Sequence, residues 1–453
     1  MTKLLYRKCY DKLLEWKKRS KGSTAVLLEG ARRVGKTTLA KEFAENEYDS
    51  SLYIDFSHVD SQVLKIFNEQ RHDTQTLLRM LQIFYGVELK EHKSLVIFDE
   101  VQRFPIAREE IKHLVQDGRY DYLETGSLIS IKKNSDTIVI PSEEEKLQLY
   151  PLNFEEFLIA QNRKMLVEEI VSSRENLKPL PIEIHQLAMR LFNEYMLVGG
   201  MPKVVSTYLR SGNFTDCDRE KRAILELYDE DIQKFGGTCT DRARGMWRQI
   251  PGNLSHASKR FKFGTVSKNA RYRNYQSAVK WLEDSKTVNV CRCTTDPNVG
   301  FKLTADETSF KCYMADTGLL VSHAFPAGKE VGEIYKALQF GTVSVNRGMF
   351  VENVVAQQFC ANGEELFYFE WKEEGKRPRE IDFLLVRGFS DAAGKLRIAP
   401  VEVKSSKSYS TVSLEDFKKR WSKRVGNEIV LHPKQLKVEG NRQYLPLYMS
   451  FCA

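Results

Sequence analysis

The segment from Gly30 to Thr37 constrains the fold more than any other part of this 453-residue chain. Its sequence, GARRVGKT, fits the pattern GxxxxGK[ST], with a short apolar run at 24–29 before it and a helical pattern at 37–46 after it. Glycines at both ends permit a tight turn that directs backbone N–H groups towards phosphate oxygens, and the helix start adds its positive dipole end. The segment therefore predicts a phosphate-binding loop between a buried strand and a helix.

The side chains of this loop have separate predicted roles in ATP binding and hydrolysis. Lys36 is expected to reach the β- and γ-phosphates, and the Thr37 hydroxyl is expected to ligate Mg²⁺. The predicted nucleotide-binding residues are Gly30, Arg33, Gly35, Lys36, Thr37 and Thr38. ATP and Mg²⁺ are thus the cofactors that the sequence predicts.

A second motif, which ends in two acidic residues, supports this interpretation. The apolar run 95–98 ends in Asp99 and Glu100, as expected for a parallel strand that delivers carboxylates to its C-terminal edge. Asp99 would hold the metal shell together with Thr37, and Glu100 would polarise the attacking water. The alternative, an acidic helix cap after a core strand, is the weaker reading because the phosphate-binding loop is also present.

Thr125 ends the next predicted strand, at 120–125, within the sequence Thr-Gly-Ser. A small hydroxyl at this strand end is predicted to sense the γ-phosphate and is counted with Lys36 and Glu100 as catalytic. The same tripeptide is also ordinary turn chemistry, so both readings stay open.

The order of strand and helix patterns predicts the domain organisation. Strands and helices alternate up to residue 160, which indicates an α/β fold of the P-loop NTPase type with a parallel sheet covered on both faces. The later segments are mostly helical, then helical with short strands, then α/β again. The predicted domains are a P-loop ATPase domain at 1–160, a helical region at 161–240, a winged-helix-like basic module at 241–335 and a restriction-endonuclease-like α/β domain at 336–453.

Several short motifs occur in an order that resembles a known family, the prokaryotic AAA-type ATPases with a DUF4143 C-terminal region. The motifs are GARRVGKT at 30–37, DEVQRFP at 99–105, TGS at 125–127, YPLNFEEF at 150–157, VGGMP at 198–202, YxxDIxK at 228–234 and DTGLL at 316–320. The resemblance covers nearly the whole chain and implies ATP hydrolysis. A homo-oligomer is expected only by analogy with that class.

The chain departs from the family at one place. Many members have a Gly-Arg pair after the TGS strand, whereas residues 140–147 here are rich in acids. No arginine finger is therefore assigned, and Arg103 and Arg119 are only candidates. Because such a residue contributes about 10³ to 10⁵ in rate, intrinsic hydrolysis is expected to be slow.

A second constellation lies near the C-terminus. Asp382 lies near the start of one predicted strand. Glu402 and Lys404 lie two residues apart on the next predicted strand, so their side chains share a face. With Glu352 on the preceding helix, they resemble the PD-(D/E)xK nuclease core, in which Asp382 and Glu402 would share Mg²⁺ and Lys404 would orient or deprotonate a water. Two alternatives stay open: a solvated amphipathic strand, and a nuclease fold that serves as an inert binding platform.

Charge and composition narrow the environment and the partners. Residues 255–280 carry seven basic residues, no Asp or Glu, and interleaved aromatic residues, which suits contact with DNA. The eight cysteines contain no CxxC pair, so reduced thiols and no zinc site are expected, including at Cys291 and Cys293. The N-terminus lacks the apolar core of a signal peptide and no run of 18 apolar residues occurs, which indicates a cytoplasmic protein without a membrane span.

The leading hypothesis is an ATPase, driven by Mg-ATP, whose nucleotide state repositions a nucleic-acid-facing, nuclease-like C-terminal half. One rival is a signalling switch or scaffold, in which slow hydrolysis controls partner binding without DNA. Another is an active Mg²⁺-dependent DNA nuclease for which ATP is only a gate.

Overall fold

The computed structural model describes residues 5–127, 143–328, 331–340, 346–372, 374–375, 378–388 and 396–453. The chain divides into two compact units, one formed by Met1–Tyr150 with Asp284–Lys286 and the other by Pro151–Glu283 with Thr287–Ala453. The division into four domains stays a prediction. The acidic stretch at 140–147 falls partly outside the described residues.

The first unit alternates strands and helices. Its helices are α1 (Lys8–Ser20), α2 (Lys36–Glu47), α3 (Ser61–Glu69), α4 (Thr74–Tyr85) and α5 (Pro105–Asp117). Its strands are β1 (Ala25–Glu29), β2 (Ser50–Asp55), β3 (Ser94–Asp99), β4 (Asp121–Gly126) and β5 (Glu144–Gln148). A short 3₁₀ turn, Val101–Arg103, joins β3 to α5.

These five strands form one sheet in the order β2-β3-β4-β1-β5, and every pairing in it is parallel. Every residue of β1 and β3 is buried, because helices cover both faces of the sheet. Alternate side chains of one strand accordingly enter two different apolar clusters: Leu27 lies in one and Leu28 in the other. The predicted α/β fold of the P-loop NTPase type is confirmed.

The second unit begins with helices. They are α6 (Phe154–Ala160), α7 (Lys164–Glu175), α8 (Ile182–Val198), α9 (Pro202–Ser211), α10 (Phe214–Phe235), α11 (Thr240–Ser255), α12 (Tyr272–Asp284), α13 (Thr317–Ala324), α14 (Val331–Phe340), α15 (Gly348–Ala361) and α16 (Val412–Arg420). Pro181 precedes α8, and Pro202 begins α9, where a missing N–H costs nothing.

The strands of the second unit form two mixed sheets. They are β6 (Val288–Thr294), β7 (Ala305–Met314), β8 (Phe367–Trp371), β9 (Arg379–Ile381), β10 (Phe383–Gly388), β11 (Leu396–Val403), β12 (Glu428–His432), β13 (Lys437–Glu439) and β14 (Arg442–Pro446). One sheet has the order β7-β6-β8-β9 and the other β10-β11-β12-β14-β13. β6 and β7 form an antiparallel hairpin, and β6 also pairs in parallel with β8, so the first sheet joins strands from both sides of residue 336.

One sequence-based boundary was wrong. The run 380–386 was predicted as a single strand, whereas the structure breaks it at Asp382 into β9 and β10, which belong to different sheets. The break frees Asp382 Oδ2 to accept a hydrogen bond of 2.8 Å from the backbone N–H of Val403 on β11. The antiparallel pairing of β10 with β11 agrees with the predicted hairpin-like connection.

Three of the family-like motifs meet inside the second unit through glycines. A Cβ at Gly200 would lie 2.1 Å from the carbonyl oxygen of Leu152, and one at Gly318 would lie 2.3 Å from that of Val198. Asp316 caps α13 by accepting from the Leu319 N–H at 2.9 Å, and it also accepts from the Gly200 N–H. These motifs therefore serve backbone packing, because no larger residue fits at either glycine.

Candidate nucleotide-binding site

The carboxyl ends of the parallel strands bring the predicted site residues together. In the sheet register, Leu28 lies beside Thr125 and Asp55 lies beside Asp99. The loop after β1 and the acidic end of β3 therefore meet at one edge, although β4 separates the two strands.

The loop between β1 and α2 has the backbone shape that its glycines were predicted to permit. Gly35, immediately before α2, has φ 99°, and Arg33 also adopts a left-handed conformation, with φ 67°. A Cβ at Gly30 would lie 2.3 Å from the carbonyl oxygen of Leu149, so only glycine fits there. Thr38, by contrast, is exposed on the first turn of α2. The loop thus ends at a helix N-terminus, a preferred position for an anion.

Lys36 lies inside this loop. Its side chain is buried, and Nζ donates hydrogen bonds to the carbonyl oxygens of Gly30 at 2.9 Å and Ala31 at 3.0 Å. Burial lowers the pKa of Lys36 to about 8, although the nearby charges of Glu100 and Asp99 act in the opposite direction. An anionic ligand in the loop would favour the ammonium form, since opposite charge stabilises it.

Asp99 is the centre of a hydroxyl network. Its side chain accepts from Thr37 Oγ1 at 2.9 and 3.0 Å, from the Tyr53 hydroxyl at 2.6 Å and from Thr125 Oγ1. Among the described residues, the side chains that donate hydrogen bonds to Asp99 are all neutral hydroxyls. Asp99 itself is 3% exposed, and the nearby Lys36 charge acts on it without a described hydrogen bond between the two side chains.

Glu100 has an unusual backbone. It adopts φ 55° and ψ 43°, a left-handed conformation that costs a residue with a side chain on the order of 1–3 kcal/mol and that is concentrated at functional sites. Its side chain accepts from Ser127 Oγ at 3.0 Å and from Gln102 Nε2. These contacts place the Glu100 carboxylate beside Ser127, which follows the end of β4.

Thr125, the predicted γ-phosphate sensor, is fully buried. Its hydroxyl donates to Asp99 and accepts from the Glu100 N–H at 3.3 Å. These contacts assign Thr125 to positioning the two acids. Its role as a sensor stays a prediction.

Sequence reasoning missed Arg7. This buried residue precedes α1, and its guanidinium donates to the carbonyl oxygen of Val34 at 2.9 Å and to that of Tyr150. It therefore braces the phosphate-binding loop from the N-terminal segment. No local motif signals such a contact, because the two residues lie 27 positions apart.

The residues around Asp99 fit a Mg²⁺ ion. Magnesium prefers oxygen ligands and is usually held by one or two protein groups together with substrate phosphates and water. The Thr37 hydroxyl and the Asp99 carboxylate supply such oxygens within hydrogen-bond distance of each other. Either atom can exchange this mutual hydrogen bond for a metal bond.

The predicted C-terminal metal site is arranged differently. Glu352 and Asp382 are brought together with a third carboxylate, Glu380, which the sequence analysis did not single out. Lys311 of β7, fully buried, lies among them: its Nζ is 2.9 Å from Glu352, 2.7 Å from Glu380 and 3.7 Å from Asp382. Lys259 also pairs with Glu352 at 2.5 Å.

Two lysines of the protein itself therefore offset two of the three carboxylate charges in this cluster. Burial alone would raise the pKa of Glu352, yet Lys259 and Lys311 lower it to about 2. Burial likewise opposes the charge on Lys311, but Glu352 and Glu380 hold its pKa well above the usual range. A divalent ion would have to displace a buried ammonium, so the cluster fits Lys311 better than Mg²⁺.

Glu402 and Lys404 form a separate pair. Glu402 is buried on β11, and Lys404 Nζ lies 2.8 Å from its Oε2. Burial raises the pKa of Glu402, and Lys404 counteracts that rise. The described carboxylates that lie close enough together to bind one ion include Asp382 but not Glu402.

The basic stretch at 255–280 shows two kinds of side chain. The aromatic residues Phe261, Phe263 and Tyr275 are buried, with Phe261 stacked on Phe310. The exposed cations are Arg260, Lys262, Lys268, Arg271, Arg273 and Lys280. These three aromatic rings are therefore not available for base stacking, whereas Tyr272 is only partly buried.

Family comparisons agree with this geometry. Residues 22–158 match the model of a family described as an AAA domain. These residues form an AAA-type P-loop domain. Residues 347–449 match a family described as a domain of unknown function, DUF4143, and residues 189–328 match another, DUF8612. The predicted resemblance to AAA-type ATPases with a DUF4143 region is confirmed.

Two solved structures are similar to the chain that contains this AAA domain. The Walker-type ATPase paby2304 of Pyrococcus abyssi is 14% identical, with a TM-score of 0.42 over 71% of this chain and 96% of that chain. The Aeropyrum pernix ORC1 protein in complex with DNA is 11% identical, with a TM-score of 0.30 over 74% of this chain and 93% of that chain.

No curated protein matches the chain by sequence. Among the described helices, none is long and apolar enough to cross a lipid bilayer.

Proposed function

We propose that the AAA domain binds ATP with Mg²⁺ and hydrolyses it to ADP and phosphate. The observation that carries this proposal is the Thr37–Asp99 hydrogen bond beside a phosphate-binding loop that contains Lys36. It joins a loop suited to phosphate with oxygen ligands suited to Mg²⁺ at a single sheet edge.

Each residue of the site has a defined part in the proposed reaction. The loop from Gly30 to Thr37 holds the phosphates through backbone N–H groups, and Lys36 exchanges its two carbonyl acceptors for phosphate oxygens. Bound Mg²⁺ would neutralise charge on the phosphates. Glu100 accepts the proton of the attacking water, and Thr125 keeps Asp99 and Glu100 in place.

An ATPase assay of the full chain with Lys36→Ala tests this proposal. The expected result is a fall in kcat of about 10² to 10³-fold or more, as for loss of a preorganised charge-stabilising donor. Lys12→Ala, at an exposed position of α1, is the matched control and is expected to keep the wild-type rate. Equal activity of both variants, or a wild type that binds no nucleotide with Mg²⁺, would refute the proposal.

We further propose that the second unit faces a nucleic acid without cleaving it. Six exposed cations along residues 255–280 supply charge for phosphate contacts, and the Lys311 ammonium already lies among Glu352, Glu380 and Asp382, where a nuclease would hold its metal. Arg273 and Lys280 are seven residues apart on α12 and therefore lie on one helix face.

The test uses DNA duplexes and single strands at several salt concentrations. Binding is expected to weaken with salt, and Arg273→Gln with Lys280→Gln should reduce the slope of log affinity against log salt by about 0.9 for each phosphate that is no longer neutralised. Cleavage of DNA with Mg²⁺ that Asp382→Asn abolishes would favour the gated nuclease instead. Absence of both binding and cleavage would favour the signalling switch.

A further inference from the structure

Two histidines and a glutamate converge in the first unit, on residues that the proposed ATPase reaction does not use. His72 directly precedes Asp73, the N-cap of α4, while Glu110 and His113 lie three residues apart on α5 and share a face. His72 Nδ1 is 3.3 Å from His113 Nε2 and 3.8 Å from Glu110 Oε1. One ligand atom from each residue lies within 4.8 Å of the other two.

The glutamate is the unusual member of this cluster. Its side chain is 1% exposed, and among the described residues Oε1 has no hydrogen-bond partner. Oε2 accepts only a long bond, 3.4 Å, from the backbone N–H of His72. A buried carboxylate is costly unless it is paired or coordinates a metal, so Glu110 lacks the compensation that its position demands.

Arg71 is the nearest competing cation. Its Nε lies 3.7 Å from Glu110 Oε1, beyond hydrogen-bond distance, and its guanidinium is 42% exposed and bonded to Glu109. Arg71 therefore offsets part of the charge of Glu110 without satisfying its buried oxygen.

We propose that His72, Glu110 and His113 bind one divalent ion of the zinc class. Zinc bonds of about 2.0–2.1 Å at the tetrahedral angle place two ligand atoms roughly 3.3 Å apart, which matches the distance between the two histidine nitrogens. The Glu110 oxygen needs to approach His72 Nδ1 by about 0.5 Å and lies within 4.8 Å of the His113 nitrogen, and the His72 side chain, 65% exposed, is free to move. Two imidazoles and one carboxylate leave a fourth position for water.

The donor set separates this ion from the Mg²⁺ of the nucleotide site. Imidazole nitrogen suits Zn²⁺, Ni²⁺ or Cu²⁺, whereas Mg²⁺ prefers oxygen alone. A simple hydrogen bond between the two imidazoles would also explain their contact, but it would leave Glu110 Oε1 without a partner.

The ion would connect two segments that lie far apart in sequence. His72 belongs to the connection between α3 and α4, whereas Glu110 and His113 lie in the middle of α5, which begins directly after the 3₁₀ turn beyond Glu100. The bound ion therefore holds α5 against the start of α4 and raises the thermal stability of the unit that carries the nucleotide site.

Metal titration of the full chain tests the proposal. Protein stripped with a chelator and returned to metal-free buffer is titrated with Zn²⁺ alone, and the same site is observed with Co²⁺ by its visible absorption. One ion is expected to bind per chain, with the spectrum of a tetrahedral nitrogen and oxygen site and without the thiolate-to-cobalt band that cysteine ligands would give. Excess Mg²⁺ is expected not to displace it.

Matched variants make the result specific. His72 and His92 are both exposed histidines with positive φ, 72° and 57°, so asparagine suits the backbone at either position. His72→Asn, His113→Gln and Glu110→Gln are expected to weaken Zn²⁺ binding at least about tenfold, since even outer ligands contribute 10 to 100-fold. His92→Asn should bind like the wild type, and Arg71→Gln should bind more tightly because a competing cation is gone.

Two results would overturn the proposal. One is a wild type that binds no Zn²⁺ in the titration. The other is an affinity that His72→Asn and His113→Gln leave unchanged while circular dichroism shows both variants folded, because this places the bound ion elsewhere, for example on the cysteines.

Discussion

Two carboxylate clusters described above, one in each unit, have different partners. Asp99 in the first unit is held by the hydroxyls of Thr37, Tyr53 and Thr125, which carry no charge. Glu352 in the second unit is held by the ammonium groups of Lys311 and Lys259. Hydroxyls leave a negative charge that a cation can still approach, whereas the two lysines already offset most of the carboxylate charge within the protein.

The difference shows why a carboxylate motif alone does not identify a metal site. Both clusters are buried, and both contain acids at strand ends or on neighbouring elements. Only the surrounding donors decide whether a divalent ion is needed. The most direct tests therefore change one donor or acid at a time.

The largest effect is expected at Glu100. Glu100→Gln keeps the size and the hydrogen-bonding capacity of the side chain but removes the proton acceptor, so kcat for ATP hydrolysis should fall about 10² to 10⁴-fold. ATP binding, measured with a fluorescent nucleotide, should persist. Glu91→Gln, at an exposed position of the same unit, is the control. A rate unchanged in Glu100→Gln would mean that another residue activates the water.

Lys311→Met should produce the largest change in stability. It leaves the buried Glu352 and the partly buried Glu380 and Asp382 without their shared ammonium, and breaking a buried pair costs about 3–5 kcal/mol in the free energy of unfolding. Lys302→Met removes a surface ion pair with Glu365, in which the Lys302 side chain is 73% exposed and the Glu365 side chain is 59% exposed. This change should cost at most about 1 kcal/mol in the free energy of unfolding. Urea denaturation followed by circular dichroism compares the two; equal destabilisation would contradict internal charge balance.

Tyr53→Phe tests the neutral donors of Asp99. It removes the 2.6 Å hydrogen bond to Oδ2 without changing the ring, and loss of such an outer partner of a metal ligand typically costs about 10 to 100-fold in metal affinity or activity. The Mg²⁺ concentration that gives half-maximal ATPase activity should rise accordingly. Tyr10→Phe removes a similar bond to Glu47 elsewhere in the unit and should leave this concentration unchanged.

The smallest effect is expected at Glu124, a further buried acid, which lies on β4. Burial, then the charge of Glu144, raises its pKa well above the ordinary value, while Arg108 pairs with Glu144 at 3.0 Å. A raised pKa in the folded state means that stability is complete at low pH and decreases as pH rises past the unfolded value of the group.

Glu124→Gln should therefore stabilise the protein at pH 8 and have little effect at pH 4. The gain is expected to be on the order of 1 kcal/mol, since a tenfold change in proton affinity corresponds to about 1.4 kcal/mol. Thermal unfolding at several pH values measures it. A variant that loses stability at pH 8 would show that Glu124 is charged in the folded protein.

The strand, loop and helix of the candidate nucleotide site were largely predictable because their signals are local. The residues from Gly30 to Thr37 are contiguous, and Asp99 and Glu100 follow an apolar run, so strand, loop and helix could be placed from spacing alone. Arg7 could not be found in this way, because its contact with Val34 depends on where α1 packs.

The C-terminal cluster was predicted only in part for the same physical reason. Glu352 and Asp382 meet as the motif suggested, but the cation among them comes from β7, about 40 residues before Glu352. The break at Asp382 separates two sheets, which an alternating pattern in sequence does not reveal. Three aromatic residues among the basic residues at 255–280, Phe261, Phe263 and Tyr275, were likewise core residues.

The parallel pairing of β6 with β8 has a practical consequence for anyone who wishes to study residues 336–453 in isolation. A fragment that begins there would keep β9 but lose β6, the other neighbour of β8, and would expose unpaired backbone groups at a sheet edge, which invites aggregation. It would also lack Lys311, leaving Glu352 and Glu380 facing each other without a cation. Insolubility of such a fragment would therefore reflect where the chain was cut.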